Sequence, residues 1–257
     1  MAIYLLKKSY LLKNLKEIDF KDLWGDHGIF TTMWIFGKPA KILFFEKHIK
    51  NLIKSLYKYE IKKKFLESII IEIINNNLSK KIIYNHLLRV ALNKKVISIS
   101  LRKRMPSKLD FDLKLVNLKR NKPKYKNLKY KKILSQLSKI DNSKSDIGLI
   151  YKKKILETGT SNLLFAKGGK FFMPKKDYYE GITYKFFKTK IKKIIKKEIL
   201  VHDLNKYDEI ILIGSGKGVT SVKTINQINW KRKNLNQYKR LLKYYRYAVK
   251  KCNLYKF

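Results

Sequence analysis

Four short segments in the second half of the chain combine residue types that can do chemistry together. In order they are Lys126-Asn127-Leu128-Lys129-Tyr130, Glu157-Thr158-Gly159-Thr160-Ser161-Asn162-Leu163, Glu180-Gly181-Ile182-Thr183 and Gly214-Ser215-Gly216-Lys217-Gly218-Val219. A lysine amine can condense with a carbonyl to form a Schiff base. A carboxylate can keep a proton on a ring nitrogen. Turns of small residues offer N–H and hydroxyl donors of the kind that hold phosphate. Taken singly, each segment has a plainer reading. Lys126 is one lysine among dozens, Glu157 a solvated turn carboxylate, and Asn162 a turn or cap residue. The argument rests on their order.

These residues need elements to position them. Gly37-Lys38-Pro39 reads as a turn between strands at 30–36 and 42–45. Apolar residues at Ile49, Leu52, Ile53 and Leu56 predict a helix over 46–59, and a second helix is expected over 62–75. Strands are expected at 87–92, 96–101 and 111–116, with Met105-Pro106-Ser107 as a break. Arg120-Asn121-Lys122-Pro123-Lys124 is polar and contains proline, which suits a linker. A helix over 127–140 would then have Lys126 at its start. Strands follow at 147–151, 163–167 and 170–173. A helix is expected over 183–198, a short strand at 210–213 and a tyrosine-rich helix over 237–252. The fold class is α+β: two small mixed α/β domains, at 1–119 and 127–257, joined by a linker at 120–126.

Composition narrows the function. The net charge is +42, which ordinarily raises nucleic acid as a partner. Here only seven of the 61 basic residues are arginine, and the lysines run through every segment rather than clustering. The excess of Lys, Ile, Asn and Tyr matches drift in an AT-rich genome, so no specific nucleic-acid partner is expected. Cys252 stands alone, which rules out an intrachain disulfide framework and fits a reducing cytoplasm. The apolar stretch at the N-terminus is too short for a signal peptide, and no apolar run reaches membrane-spanning length. His27, His48, His86 and His202 lack metal-ligand spacing, so no metal is expected and His48 is assigned a structural role. The turn at 214–218 lacks the Gly-Lys-Ser/Thr ending of a nucleotide-binding P-loop.

The stretch Glu157 to Thr183 resembles the signature region of the class IV aminotransferases, the fold-type IV pyridoxal-phosphate enzymes. Trp24-Gly25-Asp26-His27-Gly28-Ile29-Phe30-Thr31-Thr32 is similar to that family's aromatic-Gly-Asp-Gly-aromatic strand. Phe45-Glu46-Lys47-His48-Ile49-Lys50-Asn51-Leu52 is similar to its first long helix, and residues 208–222 to its phosphate-turn segment. The resemblance covers nearly the whole chain. It implies a D-amino-acid aminotransferase-like fold with the site between the two domains, pyridoxal 5′-phosphate as cofactor, and a homodimer in the cytoplasm.

The resemblance also assigns roles. Lys126 would carry the cofactor and shuttle protons, with Tyr130 one helical turn away beside the Schiff base. Glu157 would pair with the pyridine nitrogen, and Asn162 belongs to the same cofactor-binding signature. Gly181, Ile182, Thr183, Gly214 and Ser215 would hold the phosphate. Thr32, Arg89 and Gly216 would meet the substrate. Where the family carries an arginine for the phosphate, this chain has Asn51, which cannot supply charge. Lys54 or Lys47, at helical spacing on the same face, would replace it.

Within the family, chain length and Phe30-Thr31-Thr32 favour 4-amino-4-deoxychorismate lyase, which releases pyruvate and the folate precursor 4-aminobenzoate from a small amino substrate. The alternatives are an aminotransferase acting on branched-chain or D-amino acids, with 2-oxoglutarate as acceptor, and a basic binding protein that has lost catalysis.

Overall fold

The computed structural model describes residues 3–105 and 109–256, so Pro106 and Ser107 of the expected break lie outside the described residues. The chain divides into two compact units. One comprises Met1–Arg104, Tyr125–Lys131 and Lys251–Phe257; the other comprises Met105–Lys124 and Lys132–Lys250.

The first unit is built on strands β1 (Tyr4–Leu11), β2 (Glu17–Ile18), β3 (Gly28–Gly37), β4 (Lys41–Ile42), β5 (Tyr84–Asn93) and β6 (Val96–Lys103), in the order β2-β1-β6-β5-β3-β4. Side chains alternate between faces of a strand. One face carries Met33, Ile35, Leu88, Val90, Ile97, Ile99 and Leu101 and packs on helices α1 (Phe45–Lys58) and α2 (Leu66–Asn77). Ile49, Leu52 and Leu56 of α1 are nearly solvent-free, as their spacing requires. Helix α2 starts later than its apolar pattern suggests, because Phe65 before it adopts a left-handed backbone, φ 55°. The other face carries Phe30 and Thr32 on β3, Arg89 on β5, and Ser100 and Arg102 on β6, with Thr32 opposite Arg89 and Arg89 opposite Ser100. The chain's end returns to this unit: Tyr255 donates its backbone N–H to Ala40 O at 2.8 Å and its hydroxyl to Asn75 Oδ1 at 2.6 Å.

The second unit carries β7 (Asp110–Asn117), α3 (Lys131–Leu137), β8 (Ser145–Tyr151), β9 (Lys154–Thr158), β10 (Asn162–Lys167), β11 (Lys170–Pro174), α4 (Ile182–Lys188), β12 (Ile194–Lys197), β13 (Glu209–Gly214), β14 (Gly218–Ile225), β15 (Trp230–Lys231) and α5 (Asn236–Lys250). Its sheet runs β12-β11-β10-β13-β14-β7-β8-β9, with β15 added on β14. Strand β7 belongs here, ahead of the expected linker, because Phe111, Leu113 and Leu115 enter a core with Phe165, Leu212, Val222 and Trp230. Buried Glu209 accepts the N–H groups of Gln237 and Tyr238 at 2.7 and 2.8 Å, which fixes the start of α5.

Two expected helices are corrected. Residues 125–130 are not helical, and α3 begins only at Lys131. Instead Phe30 donates its N–H to Lys126 O and Leu128 donates to Gly28 O, both at 2.9 Å, so the segment extends along β3. The helix expected over 183–198 ends at Lys188. Residues Ile194–Lys197 form β12, parallel to β11, with Phe171 opposite Ile194. Sheet pairing outweighs the helical apolar spacing of Ile191, Ile194 and Ile195. Among the described residues, no helix is long and apolar enough to cross a membrane.

Candidate active site

In the second unit, β9 ends with Glu157 and Thr158, and both side chains point into buried surroundings. Glu157 is 2% exposed, and Arg120 faces it with a guanidinium fork: Nε donates to Oε1 at 2.7 Å and Nη2 to Oε2 at 3.2 Å. Planar forks match carboxylates in this way, which a lysine cannot do. The Tyr179 N–H approaches Oε2 at 3.4 Å. Asn162, the first residue of β10, clamps the loop before α4. Its Nδ2 donates to Tyr179 O at 2.5 Å, and its Oδ1 accepts the Gly181 N–H at 3.0 Å. That donor of Gly181 is therefore spent inside the protein. A Cβ on Gly181 would lie 2.9 Å from Asn162 Oδ1, which explains the glycine.

The two small-residue turns, distant in sequence, meet through their hydroxyls. Thr183 Oγ1 in the first turn of α4 lies 3.5 Å from Ser215 Oγ in the β13–β14 turn. Thr183 is buried, Ser215 and Gly216 are half-buried, and Gly214 packs against Ser161. Ile182 is buried at the start of α4.

In the first unit, the extended path of 125–130 gives the lysine a different setting from the expected helix. Lys126 Nζ sits 5.1 Å from the Phe30 ring centroid, and Tyr130 packs edge-on to the same ring at 5.8 Å. The expected helical turn is thus replaced by a non-helical path, with a bridge from Asn127 to Ile29 and a tight turn in which Tyr130 N–H donates to Leu128 O at 2.7 Å, and this path also brings Lys126 and Tyr130 to one ring. Trp24 stacks on Tyr130 at 5.5 Å and meets Phe30 edge-on at 4.8 Å. Arg89 lies over Trp24, its Cζ 3.8 Å from the ring, and donates to the Asp22 carbonyl. Its buried Nε has no hydrogen-bond partner. Burial pulls the Arg89 guanidinium down to about 10; Asp22 and Tyr4 oppose that pull and Arg102 adds to it. Half-buried Thr32 stands opposite Arg89.

Helix α1 lies on the other face of this sheet. Its His48 Nδ1 is 2.8 Å from Thr31 Oγ1, a buried pair in keeping with a structural role for His48. Asn51 is half-buried and its carbonyl accepts the Ser55 hydroxyl at 2.7 Å. Lys47 and Lys54 flank it and are exposed.

Sequence reasoning passed over Arg120 and Arg102 as site residues, and named Trp24 only as the first residue of the strand-like segment. Arg120 was absorbed into the linker reading. A signal existed: where lysine is the default cation, an arginine is a candidate for a fork or a stack, as Arg120 on Glu157 and Arg89 and Arg104 on tryptophan rings bear out.

The family model described as amino-transferase class IV matches residues 28–225, well over half of the chain. The chain belongs to the class IV aminotransferases. Solved structures of the same fold include a branched-chain aminotransferase of Thermoproteus uzoniensis with norvaline, 13% identical, covering 98% of this chain and 96% of its own, with a TM-score of 0.78. An aminotransferase of Brucella abortus bound to pyridoxal phosphate is 16% identical, covering 97% and 100%, with a TM-score of 0.73. A Legionella pneumophila protein provisionally named a 4-amino-4-deoxychorismate lyase is 17% identical, covering 85% and 91%, with a TM-score of 0.67. No curated protein matches by sequence.

Class IV aminotransferases use pyridoxal phosphate, and the donors described here suit it. A carboxylate offers about four lone-pair sites, so the Arg120 fork does not exhaust Glu157. Two adjacent hydroxyls at glycine-lined turns match a phosphate, and Lys126 supplies a primary amine.

Proposed function

We propose that this class IV enzyme is a 4-amino-4-deoxychorismate lyase. The observation that carries the reading is the pair of guanidiniums on the Phe30–Thr32 face of the first unit. Leu87 stands opposite Arg102 and Arg89 opposite Ser100, which makes Arg89 and Arg102 diagonal neighbours on one face. Arg89 is also desolvated and has an unmatched Nε. A desolvated cation gains from an incoming anion. Two neighbouring cations suit a substrate with two carboxylates; the 2-oxoglutarate of an aminotransferase also carries two, so the preference for the lyase rests on this pair together with Phe30-Thr31-Thr32.

When bound, the cofactor supplies an electron sink for the carbon that bears the amino group. Lys126 is the amine that holds it. Once the substrate's amine has taken its place, the freed Lys126 Nζ would take the proton from that carbon, a role that the sequence order and the family resemblance support. The C–O bond to the enolpyruvyl group breaks, the ring becomes aromatic, and the proton passes to the leaving group, which departs as pyruvate. Glu157, backed by Arg120, keeps the cofactor ring protonated. Thr183 and Ser215 grip the phosphate. Arg89 and Arg102 orient the substrate carboxylates, with Thr32 and Tyr130 beside them and Gly216 at the tip of the second turn. The family resemblance further supports a cytoplasmic homodimer.

The test is product analysis. Purified protein given 4-amino-4-deoxychorismate should release pyruvate and 4-aminobenzoate in equal amounts, and Lys126→Ala should lower the rate by about a thousandfold or more. Borohydride reduction should place the pyridoxyl group on Lys126. If leucine, valine or D-alanine is deaminated with 2-oxoglutarate as acceptor and no pyruvate forms from aminodeoxychorismate, the protein is an aminotransferase instead.

A further inference from the structure

Resting on the cofactor reading above, we propose that Asp146 and Lys217 form a positioning pair that sets the affinity of the second unit for the cofactor's phosphate group. Asp146 stands near the start of β8 and has no solvent exposure. Its Oδ2 accepts the hydroxyl of Thr158 at 2.9 Å and that of Thr160 at 2.6 Å, and faces Lys217 Nζ at 3.5 Å. Its Oδ1 accepts the Ile147 N–H at 2.8 Å. The Lys217 side chain is 12% exposed. Its ammonium also donates to Ser145 O at 3.3 Å and lies 4.3 Å from the Phe111 ring centroid.

Replacing a buried ion pair by apolar residues is often neutral for stability, so its presence alone argues little. Its place argues more. Asp146 ties together the turn at 158–161, after β9, and the turn at 214–218, between β13 and β14. Those turns abut: a Cβ on Gly214 would lie 3.0 Å from Ser161 Oγ and 3.3 Å from Thr160 O. Gly218 closes the second turn at φ +70°, a conformation that glycine adopts without strain, with the Tyr245 ring only 2.9 Å from where its Cβ would stand. Between the two glycines, Lys217 contacts Asp146 while Ser215 meets Thr183. Lys217 thus pins one side of a short turn whose other side presents a hydroxyl beside Thr183. Without the pin, the Ser215 hydroxyl loses its fixed distance from Thr183. Glu157 and Lys126, which serve the ring and the aldehyde in that reading, belong to β9 and to the segment 125–130 rather than to this turn. The loss therefore falls on phosphate recognition.

The experiment titrates cofactor-free protein with pyridoxal 5′-phosphate and, separately, with pyridoxal, following absorbance, and measures competition by inorganic phosphate. Lys217→Met should raise the Kd for pyridoxal phosphate by about tenfold, the lower end of what loss of an outer supporting partner costs. The Kd for pyridoxal should stay at the parent value, and competition by inorganic phosphate should weaken. Asp146→Asn should behave alike; if its melting curve shows that it does not fold, Lys217→Met decides. The inference is overturned if Lys217→Met binds pyridoxal phosphate as the parent does, or loses both ligands in equal proportion. A parent protein that binds no pyridoxal phosphate at all overturns the cofactor reading itself, which is a separate and recognisable result.

Discussion

Glu157 in the second unit and Lys126 in the first are held by opposite means. Glu157 is solvent-free and gripped by a guanidinium fork, and its neighbour Thr158 is tied to Asp146. Lys126 is half-buried and lies over the Phe30 ring, in a stack that continues through Trp24 and Tyr130 to Arg89. Hydrogen-bonded ion pairs fix distance and angle, and out of water they tolerate little loosening. Stacked cations and rings keep their apolar contact while sliding by fractions of an ångström. On the proposed reading, a locked shell suits a ring held in one place, and a stacked face suits a lysine that must leave the cofactor and move a proton.

The sharpest way to break this contrast is at Arg120. Arg120→Leu leaves Glu157 buried without its cation, and removing one partner of a buried pair costs about 3–5 kcal/mol. Urea unfolding should show that loss. The double variant, with Arg120→Leu and Glu157→Leu, should lose less than the single one, because no buried charge is stranded. Equal stability of Arg120→Leu and the parent would remove the claim that the pair is a lock.

At the stacked face the same kind of change should act on substrate rather than on folding. Arg89→Gln removes a cation that already lies over a ring and lacks a full set of partners. We expect KM for a dicarboxylate substrate to rise by about tenfold, the worth of one charge-assisted hydrogen bond, with kcat and melting temperature nearly held. A fall in kcat at constant KM would assign Arg89 to the chemistry instead. At Asn51, on the helix layer of the same unit, Asn51→Arg should tighten cofactor binding by about tenfold, read from the same absorbance titration. No change there would separate this helix from the phosphate.

The difference between the units also explains what could be read from the residues alone. Glu157, Asn162, Thr183 and Ser215 lie at turns and strand ends, where short motifs fix the local geometry, so their order was legible. The apolar spacing of Ile49, Leu52 and Leu56 was equally plain. Pairing across sequence was not. Nothing local to 125–130 says that it will extend along β3, and Ile194 reads as helical until β11 offers it a parallel edge. Arg120 sits 37 residues before its carboxylate, in a stretch whose proline and lysines mark a linker. Strands β1 and β14 were missed because Lys7, Lys8, Thr220 and Ser221 dilute the apolar alternation that announces a strand.

The smallest expected effect asks whether the second unit's reliance on ion pairs extends to its surface. Glu180, just before α4, is bonded by Lys196 at 3.0 Å. Burial works to raise its carboxyl, but the Lys196 bond and the charges of Lys196, Lys188 and Lys185 together hold it below the ordinary value of 4.5. A carboxylate lowered in the folded state adds stability above its unfolded value and loses it as pH falls through the folded one. Stability should therefore decline on acidification below 4.5, and Lys196→Met should flatten that part of the curve of melting temperature against pH. The side chain of Glu180 is 35% exposed, so solvent screens the pair and the flattening will be slight. Parallel curves for parent and variant would confine the locking to the buried pairs at Arg120 and Asp146, and leave the surface lysines of this unit as solvated charge.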